Sequence, residues 1–377
     1  MKILIIGGTG AMGAPLTQIL GKNEENTVYV LARKKMYVPE MKNVQFIKGD
    51  AFDLNGMSDL VRREKFDVIV DFMIYNVENY KGFIDTYMSS CKQYVFTSTS
   101  SVYDEPPENS KITEETDRLY DKYNEERKNN NNVYHILKSN LDNIIFESEF
   151  KNWTMVRPYV TFNTKRLPLV TWPKEGWLYR VVKGKKVVLP KDAMFVPTTI
   201  TYGAEVANGI SFLIGNNKAF GQIVNIASNI STTWDDVLKI YQPILNDVCG
   251  KTIDIFWVEK AEEIWEEVPH QYDFYACDRL LRKEFDTTKL DVIAGKHIEF
   301  TDVRDSLAHC IKDLFSESNY QIVPDPILNG YMDKITKEHT HLSEFKGWRR
   351  KKNYLINRYR FLNGIYVLLR KIKKLFK

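Results

Sequence analysis

Tyr134 and Lys138 are four residues apart in the stretch Tyr134-His135-Ile136-Leu137-Lys138. The segment reads as helical over Tyr134–Phe150, so the phenol and the ammonium share one helix face. An ammonium beside a phenol favours the phenolate and lowers its pKa. Such a tyrosine can give or take a proton at a sugar or alcohol oxygen. Upstream, Phe96-Thr97-Ser98-Thr99-Ser100-Ser101-Val102-Tyr103 ends an expected strand in a run of hydroxyls. Tyr-x-x-x-Lys alone is common by chance; its order after a hydroxyl cluster and a glycine turn gives it weight.

The glycine turn is Gly7-Gly8-Thr9-Gly10-Ala11-Met12-Gly13, which follows the apolar run Ile3–Ile6 directly and opens a helix. Gly7, Gly10 and Gly13 are spaced so that a diphosphate can approach the backbone of Thr9, Ala11 and Met12 at a helix N-terminus. This predicts a dinucleotide site. An acid at the end of the second strand would bind a ribose 2′-hydroxyl, and a basic residue suits a 2′-phosphate. Leu31-Ala32-Arg33-Lys34-Lys35 has no acid, so Arg33 is a candidate clamp favouring NADP over NAD, although an exposed basic turn would look the same. Asp50, with Ala51, ends the third strand at the same edge, either to accept from an adenine amino group or to cap the next helix.

Those residues need a scaffold that gathers strand ends. Strands are expected at Lys2–Ile6, Thr27–Ala32, Val44–Ile47, Asp67–Asp71, Gln93–Thr97, Trp153–Arg157 and Gln222–Ala227. Helices are expected at Pro15–Leu20, Leu54–Arg63, about Tyr80 to Cys91, and Tyr134–Phe150. This βαβ rhythm predicts an α/β fold with a Rossmann-like, doubly wound parallel sheet. Residues 1–163, with strands from about 195–228, form the expected dinucleotide-binding domain. Residues 164–194 and 229–320 form a smaller α/β capping region, and 321–377 a basic extension. The polar stretch 104–133, with Pro106-Pro107 and Asn129–Asn132, reads as a surface excursion.

The chain resembles the extended short-chain dehydrogenase/reductases, the NAD(P)-dependent epimerase/dehydratase family that acts mostly on nucleotide sugars. The matching pieces are GGTGAMG (7–13), GD (49–50), FTSTSSVY (96–103), YHILK (134–138), VRPY (156–159), EVANGI (205–210) and NIASNISTTWDDVL (225–238). The resemblance implies Tyr134 as acid/base, Lys138 holding the nicotinamide ribose, and Thr99 bonding the reacting oxygen. It also implies Thr97, Phe72, Met73, Pro158 and Tyr159 along the cofactor. Hydride would pass between a sugar carbon and the nicotinamide.

Three departures qualify the family reading. Ser100-Ser101 follow Thr99 where family 4,6-dehydratases have Asp-Glu, which argues for an epimerase or 4-ketoreductase and leaves Ser100 as a substrate contact. Val160 stands near a place where many sugar epimerases have Asn, and Asn163 comes later. Val196-Pro197-Thr198 replaces a usual diphosphate-binding arginine, for which Arg180, Lys183 or Arg279 could substitute. His270, Trp257 and Trp265 read as packing. The histidines lack metal spacing, and no structural metal is expected.

Composition excludes a disordered or collagen-like chain, with 44% hydrophobic and 27% charged residues. Four cysteines without a CxxC fit a reducing compartment, and the absence of a signal-like or spanning run fits a cytoplasmic enzyme, with polysaccharide biosynthesis the context that the family suggests. The net charge of +4 hides an asymmetry. Residues 346–377 hold 12 Lys or Arg and no acid, against a body with 41 basic and 49 acidic residues. Apolar residues from Leu355 to Phe376 step by three or four, predicting a basic amphipathic helix for a membrane surface, the body or a second subunit, with nucleic acid less favoured. A homodimer is expected. A rival of another class is a non-catalytic member of the fold, binding a dinucleotide as a sensor or serving as an RNA- or protein-binding module.

Overall fold

The computed structural model describes residues 1–35, 38–316, 322–359 and Leu362. It divides into two compact units. The first comprises Met1–Asn163, Pro197–Thr232 and Leu281–Val303; the second comprises Thr164–Val196, Thr233–Leu280 and Arg304–Lys377. Leu281–Val303, read from sequence as part of the cap, clusters with the first unit.

In the first unit the strands β1 (Lys2–Ile6), β2 (Thr27–Ala32), β3 (Val44–Lys48), β4 (Val68–Asp71), β5 (Gln93–Thr97) and β6 (Trp153–Pro158) join Gln222–Ile226 in a seven-stranded parallel sheet. The order runs from Gln222–Ile226 through β6, β5, β4, β1 and β2 to β3. Ile6 lies opposite both Leu31 and Asp71, so the carboxyl ends of β2, β1 and β4 are level at the point where the order reverses. Ligands of open α/β sheets bind at such a point.

Apolar side chains alternate between two cores because successive residues of a strand face opposite sides. Ile3, Ile5, Val28, Val30, Val68 and Val70 pack with Val206, Ile210 and Leu213 of the helix Gly203–Leu213. Leu4, Ile6, Leu31, Ile69, Tyr94 and Phe96 pack with residues of the helices α2 (Leu54–Glu64), α3 (Val77–Ser89) and Tyr134–Glu147. Helix α1 (Gly13–Gly21) covers the first face through Leu16 and Leu20. Asn76 starts α3 earlier than apolar spacing suggests, since its side chain accepts the Asn79 N–H at 2.7 Å.

The polar excursion 104–133 is pinned to the first unit. Arg118 donates to Asn143, Tyr120 to Asn140, and Arg282 to the carbonyls of Pro106 and Pro107. Beneath it lies an ion pair in the core: Arg157 Nη2 sits 2.8 Å from Asp142, with side chains 1% and 0% exposed. The guanidinium also stacks 4.7 Å from the Tyr103 ring.

The second unit pairs Val187–Pro190 with Ile255–Val258 in parallel and includes the helices Trp234–Cys249, Pro326–Thr336 and Trp348–Arg358. Its charged centre is Arg180, fully buried, which donates to the Lys186 carbonyl, Asn329, Asp333, Thr336 and Glu338. Of the expected tail stripe, Leu355, Tyr359 and Leu362 are described and the remainder lies outside the described residues. No helix among the described residues is long and apolar enough to cross a membrane.

Asp142→Ala should destabilise the protein by about 3–5 kcal/mol, because removing one member of a buried pair strands the other charge. Denaturant unfolding of the variant against wild type measures this.

Candidate active site

The glycine turn is built by close backbone approach. Gly7 adopts φ +78°, a left-handed conformation that glycine takes without steric cost. A Cβ on Gly13 would stand 2.6 Å from Gly8 Cα and 2.7 Å from the Gly7 carbonyl, so only glycine lets α1 start this close to β1. A Cβ on Gly8 would meet Val30 at 2.8 Å, a requirement that the spacing of Gly7, Gly10 and Gly13 does not reveal. Gly10 is exposed, and a Cβ there meets only the Gly7 carbonyl, at 3.4 Å.

A cleft of about 560 Å³ opens at these strand ends, lined by Gly7, Thr9, Arg33, Asp50, Ala51 and Met73 among others. Arg33 is exposed at its edge. One Asp50 carboxylate oxygen accepts the Phe52 N–H at 3.1 Å, and helix α2 is capped instead by Asp53. Asp50 is thus exposed toward the cleft and is not the helix cap. Lys34, which could serve as the clamp in place of Arg33, and Gly49 also line the cleft. Phe72 and Met73 lie against the turn, each with a side-chain atom 3.4 Å from where a Gly7 Cβ would be. Ala11 and Met12 are half-buried in the turn.

Two strands along, the helix Tyr134–Glu147 packs on the Ser100–Val102 turn. Lys138 is 2% exposed; its ammonium donates to the Thr97 carbonyl at 2.8 Å and lies 4.8 Å from the Phe96 ring. Burial pulls it down to about 8, against the opposing pull of Asp142 and Asp71. Tyr134 begins the helix, half-buried, one turn before Lys138. Thr99 is 6% exposed and accepts the Ser101 N–H at 3.2 Å. The hydroxyls of Thr97 and Ser98 are buried without a partner among the described residues. Unpaired buried hydroxyls at a sheet's carboxyl edge suit a bound polar ligand. These orphans and the glycine cradle fit a dinucleotide.

Other expected residues sit elsewhere or face inward. Ser100 is fully buried and donates to the Arg157 carbonyl at 2.8 Å, so it is not an open substrate contact. Arg180 has all five donors occupied in the second unit and is no diphosphate clamp. Lys183 pairs with Glu344, and Arg279 with Asp278. Pro158 is buried at the end of β6, and Tyr159, 1% exposed, packs 5.2 Å from Phe285. Val160 follows at φ +30°, rare for a β-branched residue. Asn163 is half-buried at the end of the first unit. Asp71 drew no attention in the sequence. Its signal is an acid closing the otherwise apolar strand Val68-Ile69-Val70-Asp71.

Gly13→Ala should lower stability by about 1–3 kcal/mol, the cost of forcing atoms into a packed region. Gly10→Ala should stay within about 0.5 kcal/mol of wild type, as at an ordinary surface position. Urea unfolding of the two variants checks the contrast.

Comparison with known proteins places this geometry. Residues 3–158 match the model of the NAD dependent epimerase/dehydratase family. A curated relative, the chloroplast stem-loop binding protein of 41 kDa b from Arabidopsis thaliana, is 25% identical over 252 residues, 63% of this chain. The match spans about three fifths, 61%, of that relative's length. Among solved structures, UDP-glucuronic acid 4-epimerase from Bacillus cereus, in complex with UDP-glucuronic acid and NAD, superposes with a TM-score of 0.60. It is 16% identical and covers 83% of this chain and 100% of its own. The dTDP-glucose 4,6-dehydratase from Bacillus anthracis, in complex with NAD, gives a TM-score of 0.61 at 17% identity, covering 85% and 98%. The glycine turn and the strands β2 to β6 of the parallel sheet fall within residues 3–158, the part of the chain that matches the NAD dependent epimerase/dehydratase family model.

Proposed function

We propose that the protein is an NAD(P)-dependent nucleotide-sugar epimerase or 4-ketoreductase of the extended short-chain dehydrogenase/reductase type. The observation that carries this reading is the Lys138–Thr97 hydrogen bond, which ties the Tyr134 helix to the strand end bearing Thr99. Gly7, Thr9, Gly10, Ala11, Met12 and Gly13 would hold the diphosphate, Arg33 and Asp50 the adenosine half, and Phe72 and Met73 the nicotinamide side. The bound nicotinamide supplies hydride transfer. Tyr134 takes the proton from the substrate hydroxyl and returns it. Lys138, as an ammonium, favours the phenolate of Tyr134, and Thr99 hydrogen-bonds the reacting oxygen. Without an Asp-Glu after Thr99, the chain lacks the acid and base with which family dehydratases eliminate water. A panel of nucleotide sugars followed at the reduced-nicotinamide absorbance band tests the reading; no turnover with any of them overturns it.

The exposed Arg33 at the cleft edge and the lack of an acid after β2 support NADP over NAD. Trp348, 73% exposed beside the exposed Lys346 and Arg349, supports contact of the basic tail with an anionic membrane surface from the cytoplasm. Homodimerisation is part of the same proposal.

The curated relative's name favours one second reading, a member of the fold that binds RNA hairpins, with or without a dinucleotide. Retention of a labelled stem-loop RNA on a filter, weakening steeply with salt, would support it.

Tyr134→Phe should lower turnover by about 10²–10⁴ while dinucleotide affinity stays near wild type, since only the proton-carrying oxygen is lost. Steady-state kinetics beside equilibrium dinucleotide binding reads both. Arg33→Asp should move the preference from NADP toward NAD, because a carboxylate repels a 2′-phosphate and accepts from a 2′-hydroxyl. The ratio of the two dissociation constants is the measurement.

A further inference from the structure

Asp71 is the last residue of β4 and fully buried, yet it belongs to no ion pair among the described residues. Its two carboxylate oxygens divide their work. Oδ1 accepts the Met73 N–H at 2.9 Å, and Oδ2 accepts the Tyr94 hydroxyl at 3.0 Å. With its proton spent on Asp71, Tyr94 receives the hydroxyl of Tyr80, 3.1 Å away, so a chain of donors runs from Tyr80 through Tyr94 to the carboxylate. Hydrogen bonds in such a chain polarise and strengthen one another in a low-dielectric interior.

The cluster around it is aromatic. Tyr75, Tyr80, Tyr87 and Tyr94, all fully buried, lie about the carboxylate, and their rings pack on one another and on Phe83 and Phe96. The ionisable groups facing Asp71 are these four phenols and the ammonium of Lys138. Burial raises Asp71 to about 6, so at neutral pH the site keeps a carboxylate whose charge is unfavourable there. A carboxylate retained against desolvation calls for a use.

Met73 shows the use. Its backbone N–H is held by Asp71, and its side chain lies 3.4 Å from where a Gly7 Cβ would be, on the wall of the cleft. We propose that Asp71 is a positioning residue for the dinucleotide, tethering the Phe72–Met73 wall against the glycine turn from inside the protein. The proposal rests on the dinucleotide reading of the cleft.

Equilibrium binding of NAD and NADP to the full chain tests it, with folding monitored by circular dichroism. Asp71→Ala removes the tether and should weaken binding at least about tenfold. Asp71→Asn keeps an acceptor for the Met73 N–H and turns an amide toward Tyr94, so it should bind within about threefold of wild type. Tyr94→Phe breaks the phenol chain and spares the tether, and should likewise stay within threefold. Asp71→Ala at wild-type affinity overturns the proposal, as does a loss in Tyr94→Phe equal to that in Asp71→Ala. Should Asp71→Ala fail to fold, a tenfold loss in Asp71→Asn overturns it and near-wild-type binding supports it. Amide exchange across Phe72–Tyr75 of the free protein reads the tether apart from any ligand. Faster exchange in Asp71→Ala alone supports it, and unchanged exchange removes the tether. If the wild-type chain binds neither nucleotide while exchange responds as expected, the dinucleotide reading fails and the tether stands.

Discussion

Three backbone hydrogen bonds beyond the last rungs of the sheet hold the candidate site together. Phe72 N–H reaches the Ile6 carbonyl at 3.1 Å, Gly7 N–H the Leu31 carbonyl at 3.2 Å, and Gly49 N–H the Ala32 carbonyl at 3.2 Å. They lace the exits of four neighbouring strands, so the glycine turn, Arg33, Asp50 and Met73 keep one spatial relation. The lacing requires that the strands be parallel and in register, which in turn requires both faces of the sheet to be covered by helices. Every apolar strand residue thus serves the site indirectly, by keeping the polar chemistry at the edge.

Much of this was legible in the chain. The strands Lys2–Ile6, Thr27–Ala32 and Gln93–Thr97 have the bounds read from the sequence, because doubly buried strands show nearly unbroken apolar segments. The glycine turn was readable because a close backbone approach excludes every larger residue. Harder to read was which way a polar side chain would turn. Ser100 and Thr99 are adjacent hydroxyls in one run, and only the tight turn after β5 sends Ser100 to the Arg157 carbonyl. Arg180 carries the charge of a diphosphate clamp, but its side-chain partners lie some 150 residues away. Asp71 was hidden because an acid after three apolar residues looks like the exit of a strand, whereas the phenols that enclose it come from α3, β5 and the β4 exit. Val160 reverses the pattern. A left-handed φ suits Asn better than Val, and the resemblance marks that neighbourhood as one where relatives have Asn.

Both units keep a guanidinium at their centre, and they solve its desolvation differently. Arg157 has one carboxylate, Asp142, and the face of Tyr103, and its Nε has no partner among the described residues. Arg180 has every N–H matched, with two carboxylates, and Lys185 shares with it the same Oδ1 of Asp333. Fully matched polar clusters specify a single packing, since any shift leaves a buried donor bare. A site that must admit and release a ligand is better placed beside the looser arrangement.

The completeness of the Arg180 cluster has a consequence for how the chain is made. Four of its five donors find partners only between Asn329 and Glu338, and Asp333 follows it by 153 residues. At roughly 5–20 residues per second, a ribosome takes roughly 8 to 30 s to cover that interval. Until then the nascent second unit carries a charge it cannot bury, so its closure waits for Asn329–Glu338 to be made. The first 163 residues, by contrast, hold six of the seven strands of the central sheet before the chain first leaves the first unit. The first unit thus has most of its sheet early and awaits only the helix Gly203–Leu213, the strand Gln222–Ile226 and Leu281–Val303, whereas the second unit awaits the partners of its central charge.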